Sequence, residues 1–353
     1  MGRYIRARLK TLAVLALFAA GIYLWAGSRK PLENYLNENG PLLDPGGGTL
    51  SDPGVPSKPA SQNPDLLGLG DIKFQPETTP VNPNETLREE NLTAGDTEKL
   101  YDFAYLKAHF YSVESKYTEL LPADINIGKF LLSDLRINTS VSGPKVLIFH
   151  THSNEMFADS DISDPMDGIM GAGRLLADIL RNQYGVETLH HTGRYDIVDG
   201  HSQILGAYER MEPAVEKILR ENPSIQLAID LHRDGLNPGA APMTAEINGK
   251  RAAKIMFVNG ISRVRQNGGL IPAPGLANPN LADNLALSFR MQLAAGEMFP
   301  GFTRKLYIKA YRYSTHMLPK SLLVEVGAQN NTKEEALNAM PPLAEVLAKV
   351  ALP

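Results

Sequence analysis

The fold of this chain is most tightly limited by an alternation, from about residue 131 onward, of short apolar runs with helical patterns. Six runs have the length of a strand and are almost continuously apolar: 145–150, 186–190, 225–232, 254–259, 305–310 and 321–327. Apolar stripes at helical spacing lie between them, over 169–180, 215–219 and 281–298. Strands that are apolar on both faces and alternate with helices predict an α/β domain with a mostly parallel sheet, covered by helices on both faces.

Two local signals predict where helices begin. Pro213 suits the first position of the helix that carries the 215–219 stripe, since its missing N–H would be unbonded there anyway. Thr332 and Glu335 have the spacing of a capping box and predict the start of a last helix, which Pro341 and Pro342 interrupt.

The first thirty residues predict a membrane anchor. Arg3, Arg6, Arg8 and Lys10 precede an apolar run over 11–27, and only Arg29 and Lys30 follow it closely. A bilayer span takes roughly 17–25 apolar residues, and the excess of cations before the run places the N-terminus in the cytoplasm. A cleaved signal peptide is the alternative, but no clear small-residue cleavage site follows. In either case the rest of the chain is expected outside the membrane.

Three further segments follow the anchor (1–30). Residues 31–97 are rich in Pro, Gly, Asn and Ser, and predict a disordered, flexible tether. Residues 98–130 are a helical lead-in segment, with one apolar stripe predicting a helix over 98–117. Residues 131–353 form the α/β domain that carries the predicted site.

The composition restricts the chemistry. Lys and Arg number 35 against 39 Asp and Glu, a balance that argues against a nucleic-acid binder. The chain contains no cysteine, so disulfides and thiolate metal sites are excluded. Any metal must therefore be held by His, Asp and Glu.

Titratable residues collect at three predicted strand ends, where sites of open α/β sheets gather. These residues are His150, His152 and Glu155 after the first strand, Asp230, His232, Arg233 and Asp234 around the end of the third, and Glu325 near the end of the last. Two imidazoles and a carboxylate form the ligand set of a catalytic zinc that keeps one position for water. A further carboxylate beside that water would serve as general base, and Glu325 is the candidate.

Alternatives remain for several of these residues. His150 and His152 point to opposite faces if the strand continues through them, so only one of the two is expected to bind metal. Asp230 or Asp234 would orient a ligand imidazole, and His150 would either do the same or have a purely structural role. Arg233 would help to stabilise an oxyanion, or form an ion pair.

Three motifs, in order along the chain, carry a resemblance to a known family. They are GPKVLIFHTHSNEMF, NPSIQLAIDLHRDG and LPKSLLVEVGAQNNTKEEA, within about residues 131–350. The chain resembles the stage II sporulation protein P family, and through it the zinc-dependent N-acetylmuramoyl-L-alanine amidases with an α/β fold. By position, His152 and His232 match the zinc histidines and Glu325 matches the catalytic glutamate. The glutamate ligand departs from the amidase pattern. Related amidases take it from a position well downstream of the first histidine, which here is near Asp167. Glu155, only three residues after His152, is nevertheless the preferred candidate.

The resemblance implies cleavage of the peptidoglycan amide between N-acetylmuramic acid and L-alanine. It also implies work beside a sporulation lytic transglycosylase in septal wall remodelling during engulfment, and some relatives are credited with cutting stem-peptide crosslinks. Two rival functions stay open: a zinc-dependent endopeptidase or deacetylase acting on the same polymer, and a non-catalytic wall-binding assembly protein.

Overall fold

The computed structural model of the chain describes residues 98–237 and 239–353. The predicted anchor (1–30) and tether (31–97) lie outside the described residues. No helix within the described ranges is long and apolar enough to cross a membrane. The helices are α1 (Phe103–His109), α2 (Ile127–Leu132), α3 (Ile169–Asn182), α4 (Ala207–Glu221), α5 (Leu281–Met298), α6 (Lys333–Asn338) and α7 (Met340–Ala351). The strands are β1 (Tyr111–Val113), β2 (Val146–Phe149), β3 (Thr188–His190), β4 (Ile197–Val198), β5 (His201–Ser202), β6 (Leu227–Asp234), β7 (Thr244–Ile247), β8 (Lys250–Ala253), β9 (Ile255–Gly260), β10 (Arg263–Gln266), β11 (Gly269–Pro272), β12 (Leu306–Lys309) and β13 (Ser321–Ala328).

Seven strands form the central sheet, in the order β1-β12-β9-β13-β6-β2-β3. Each of the six predicted apolar runs coincides with one of these strands, so that part of the prediction is confirmed. Neighbouring strands are parallel except β9 and β13, which are antiparallel. The sheet is therefore mostly parallel, as predicted, with one reversal that the sequence pattern did not indicate.

The reversal divides the sheet into two blocks that run in opposite directions. Strands β2, β6 and β13 are adjacent and parallel, so their carboxyl ends meet at one edge of the sheet, here called the site edge. Strands β9 and β12 begin at the site edge and end at the opposite one. The hairpin β10–β11 follows β9 and so belongs to the opposite edge.

The two faces of the sheet are covered differently. Helices α3, α5 and α7 pack their apolar stripes into one large core on the first face. On the second face, Met211 and Val215 of α4 pack on Leu147 and Phe149 of β2. Beside them the covering is aromatic: the buried cluster Met256, Val258 and Leu323 is packed by Tyr307 and Tyr313. Helices thus lie on both faces, but α4 covers only part of the second.

Two helix predictions are wrong in their bounds. The helix predicted over 98–117 is replaced by α1 and the edge strand β1, because Tyr111 and its neighbours pair with β12 instead of continuing the helix. Helix α4 begins at Ala207, so Pro213 lies inside it and not at its first position. The capping box of Thr332 and Glu335 is confirmed, and the last helical region is divided into α6 and α7.

Candidate metal centre and active site

His152 lies on the loop that follows β2 and is buried among aromatic rings. Its imidazole is 5.3 Å from that of His232 and 5.5 Å from the ring of Tyr208, between centroids and edge to face in both cases. Tyr208 belongs to α4, and its ring in turn meets that of Tyr313 at 5.4 Å. The loop therefore carries His152 to the second face of the sheet, against β6 and α4.

Asp230 joins this loop to β6. Its two carboxylate oxygens accept hydrogen bonds from the N–H of Thr151 at 2.9 Å and from its hydroxyl at 2.7 Å. Nε2 of His232 lies 2.8 Å from the same carboxylate. One fully buried acid thus holds the residue before His152 and one nitrogen of the second histidine. Of the alternatives in the sequence, Asp230 is the residue placed to orient an imidazole.

Glu155 reaches the other nitrogen of His232. Nδ1 of His232 lies 3.5 Å from the Glu155 carboxylate. That carboxylate accepts a 2.7 Å hydrogen bond from the N–H of Arg233, and the Glu155 carbonyl accepts one of 2.9 Å from Ile169 at the start of α3. The Nε–H of Arg233 donates to the carbonyl of Met156 at 3.1 Å. Arg233 therefore fastens the loop around Glu155.

Burial and the neighbouring carboxylates have opposite effects on the pKa of His232. Burial lowers the pKa of the His232 imidazole, but the carboxylates of Asp230 and Glu155 outweigh that effect and hold the pKa well above its ordinary value. Burial likewise raises the pKa of Asp230, and the His232 imidazole and Thr151 hydrogen bonds bring it below its ordinary value. Because a metal ligand must be a neutral imidazole, a proton on His232 would compete with any metal that this ring binds.

Glu325 stands beside His232 in the sheet. The two residues are paired in register on the parallel strands β13 and β6, so their side chains leave the same face. Glu325 is fully buried. The strand is irregular between Glu325 and Ala328, where Gly327 has a φ of 62°. The predicted general base and a predicted ligand are thus neighbours at the site edge.

His150 is turned to the first face of the sheet, away from His152. Its Nδ1–H donates to the carbonyl of Leu231 at 2.8 Å, and its Nε2 lies 3.0 Å from Nε2 of His190. Burial, together with His190, lowers the pKa of His150 to about 3, so this ring is neutral. Both of its nitrogens are engaged in the core, which is a structural role.

The remaining predicted residues have partners elsewhere. Asp234 accepts hydrogen bonds from Arg304 at 2.5 Å and from the N–H of Gly235 at 2.8 Å. Asp167 accepts from the N–H of Asp161 at 2.7 Å and pairs with Lys333. Neither contacts the two histidines, whereas Glu155 does. The geometry therefore favours Glu155 over Asp167 at the position where the sequence left a choice.

The close packing of His150 gives a stability prediction. A Cβ added at Gly173 of α3 would lie 2.6 Å from two atoms of the His150 ring, which is held by hydrogen bonds and cannot yield cheaply. We expect Gly173→Ala to lower the free energy of unfolding by about 1–3 kcal/mol. Gly296 of α5 is the matched control, because nothing lies near its added Cβ and Ala should stabilise the helix there by about 0.5–1 kcal/mol. Urea unfolding of both variants checks this, and equal stabilities would contradict it.

Comparison with known proteins identifies the family. The family model of stage II sporulation protein P (SpoIIP) matches residues 71–348, which is most of the chain. The chain belongs to the stage II sporulation protein P family. A curated relative, the stage II sporulation protein P of Bacillus subtilis (strain 168), is 22% identical over 219 residues, which cover 58% of this chain and 50% of the relative. The chain thus matches about half the length of that family member.

Solved amidase structures show a more distant similarity. The amidase AmiC2 of Nostoc punctiforme is 14% identical with a TM-score of 0.34, and covers 59% of this chain and 98% of its own. The CwlD amidase from Clostridioides difficile, solved in complex with the GerS lipoprotein, is 12% identical with a TM-score of 0.36, covering 59% and 95%.

The residues of this SpoIIP chain suit zinc by their chemistry. As the side chains stand, no three His, Asp or Glu within residues 98–237 and 239–353 converge closely enough to hold a metal ion. The donors themselves are of the right kind, since His152, His232 and Glu155 supply two nitrogens and one oxygen. Two of them already meet, at 3.5 Å between His232 and Glu155, and the first ring lies beside the second. The residues present therefore fit a zinc ion by the chemical type of their donor atoms.

Sequence reasoning missed two residues near this centre. Tyr208 lies on the amphipathic helix α4, where an aromatic residue usually signals core packing. Asp196 lies in a polar stretch without a strand or helix pattern, yet it is buried and bonds to the loop that carries His152. Nothing in the local sequence distinguishes either residue from its neighbours.

Proposed function

We propose that this member of the stage II sporulation protein P family is a zinc-dependent peptidoglycan hydrolase. Its substrate bond would be the amide between N-acetylmuramic acid and the L-alanine of the stem peptide. The observation that supports this most is the position of His232 at the site edge, where the ring of His152 and the carboxylate of Glu155 each lie beside it and Glu325 is in register with it. Family membership supports a role in sporulation and a wall polymer as substrate.

The proposed chemistry assigns one task to each residue. His152, Glu155 and His232 would hold the zinc ion. When bound, zinc supplies Lewis-acid chemistry, polarising the scissile carbonyl and making an attacking water more acidic. Glu325 would accept a proton from that water and later donate it to the leaving amine. Asp230, 2.8 Å from Nε2 of His232, would fix the orientation of that ring for binding the ion.

Product analysis tests this function directly. The purified full chain, loaded with zinc, is incubated with isolated peptidoglycan, and the released fragments are identified by mass spectrometry. We expect free stem peptides that begin with L-alanine, and glycan strands whose lactyl groups are no longer substituted. Removing zinc with a chelator should abolish release, and adding zinc back should restore it.

Other products would contradict the amidase assignment in distinct ways. Shortened or uncrosslinked peptides still attached to glycan would indicate an endopeptidase, and free acetate would indicate a deacetylase. Binding to the wall without any product, at full zinc occupancy, would indicate a non-catalytic assembly protein.

The setting of the reaction is part of the same proposal. The cations and apolar run within residues 1–30 favour a single-pass anchor with a cytoplasmic N-terminus, so the catalytic domain would act on the outer side of the membrane. A lytic transglycosylase active in sporulation would be the natural partner, because amide cleavage and glycan cleavage together release wall fragments.

A further inference from the structure

The loop that carries two of the three proposed ligands has a second buried carboxylate attached to it. One oxygen of Asp196 accepts a 2.5 Å hydrogen bond from the hydroxyl of Ser153, and the other accepts a 2.9 Å bond from the N–H of Asn154. Ser153 and Asn154 are the two residues between His152 and Glu155. Asp196 is 2% exposed and Ser153 is fully buried, so water does not compete for the bond between these two side chains.

Asp196 comes from a part of the chain that is itself firmly anchored. It lies in the connection between β3 and α4, residues 191–206, which includes the small hairpin β4–β5. Arg210 of α4 donates to the carbonyls of Tyr195, Gln203 and Leu205, at 2.6, 2.5 and 3.1 Å. The N–H of Gln203 also donates to the carbonyl of Asp196 at 2.7 Å. Residues 191–206, here called the brace, therefore connect α4 to the loop that carries His152 and Glu155.

The residues immediately before and after His152 are therefore both held by hydrogen bonds to a buried carboxylate. Thr151 before it is held by Asp230 of the sheet, and Ser153 after it is held by Asp196 of the brace. A short loop without strand or helix hydrogen bonds would otherwise have to be ordered when the metal binds, and that ordering weakens binding. Because Asp230 and Asp196 already order the loop in the metal-free protein, this entropy cost is not incurred when the metal binds.

We infer that Asp196 is a positioning residue, which pre-orders the loop for metal binding without touching the metal or the substrate. The inference rests on the proposed zinc site. Outer partners of this kind typically change metal affinity by about 10–100-fold when they are replaced. Asp196→Asn should therefore raise the dissociation constant for zinc by about that factor.

The test measures the affinity of the full chain for Zn²⁺ by competition with a chromophoric chelator, and the unfolding midpoint of each metal-free variant. Asp196→Asn is compared with Asp199→Asn, the same change at an exposed position of the same connection, in the turn of the hairpin β4–β5. Asp199 has a φ of 51° at a two-residue turn, a conformation that Asn adopts readily, so this control should bind zinc like the wild type. Ser153→Ala, which removes one of the two bonds, is the milder variant if Asp196→Asn folds poorly.

The expected result is weaker zinc binding by Asp196→Asn and, to a smaller extent, by Ser153→Ala, with Asp199→Asn unchanged. The double variant Asp196→Asn/Ser153→Ala should bind zinc no more weakly than Asp196→Asn alone, because the two changes act on the same hydrogen bond. Lowered unfolding midpoints with wild-type zinc affinity would overturn the inference and leave Asp196 as a structural residue. A wild-type chain that binds no zinc would overturn the proposed function itself, and this inference with it.

Discussion

A Glu325→Gln chain is expected to fold, to bind zinc as the wild type does, and to release stem peptides about 10²–10⁴-fold more slowly. Gln keeps the volume of the side chain and a carbonyl acceptor, but it cannot take up a proton at neutral pH. A general base acts on the water and not on the metal, so zinc content and folding should be preserved. Release of peptides from purified wall, measured beside zinc content and the unfolding midpoint, separates these properties.

The control for this variant is Glu246→Gln, the same change at an exposed position of β7. It should retain wild-type rates. If the fully buried Glu325 served folding alone, as the countercharge of a buried cation, Glu325→Gln would be unstable or insoluble. A well-folded, zinc-loaded Glu325→Gln chain with wild-type rates would rule out the catalytic role.

The second large effect is expected at the two histidines. Replacing His152 or His232 by Ala leaves two of three proposed ligands, so zinc content should fall from one ion per chain towards none. His201→Ala provides a control, because His201 is exposed on the hairpin β4–β5. Metal analysis of purified chains after gel filtration measures the outcome, and peptide release should fall in parallel.

The same measurement decides two assignments that the sequence left open. His150→Ala should lower stability, because it removes a buried ring with two partners, but the folded fraction should keep its zinc. Loss of zinc from His150→Ala, with full zinc in His152→Ala, would reverse the choice between these histidines. Zinc retained by Glu155→Ala and lost from Asp167→Ala would move the third ligand downstream.

Much of the fold was predictable because the central strands are buried on both faces. Runs such as 321–327 are almost wholly apolar, and that pattern is local and therefore visible in the sequence. The direction of a strand leaves no such trace, so the antiparallel pairing of β9 and β13 was not predicted. The strand β1 has three residues with one buried side chain, too short a pattern to compete with the helical stripe around it.

The grouping of the candidate residues was predictable to the extent that they lie at the ends of strands. His232 and Glu325 lie within apolar runs, where a charged side chain stands out, and parallel pairing brings them together. Asp196 reaches the loop from a connection of 16 residues, over 191–206, whose path depends on Arg210 and on packing against α4. The spacing of residues in the local sequence does not predict tertiary contacts of this kind. The sequence predicted that His150 and His152 would point to opposite faces of the sheet. In the structure, His150 is the one that points away from His232.

The reversal between β9 and β13 has a practical use. Since β9 ends at the edge away from the candidate centre, the turn of the hairpin β10–β11, at Asn267 and Gly268, projects from the far side of the sheet. Both turn residues have a positive φ and lie at a surface bend, where insertions are well tolerated. A fluorophore or an affinity handle attached there would lie away from the candidate centre, so it would not obstruct a bulky polymer bound at that centre.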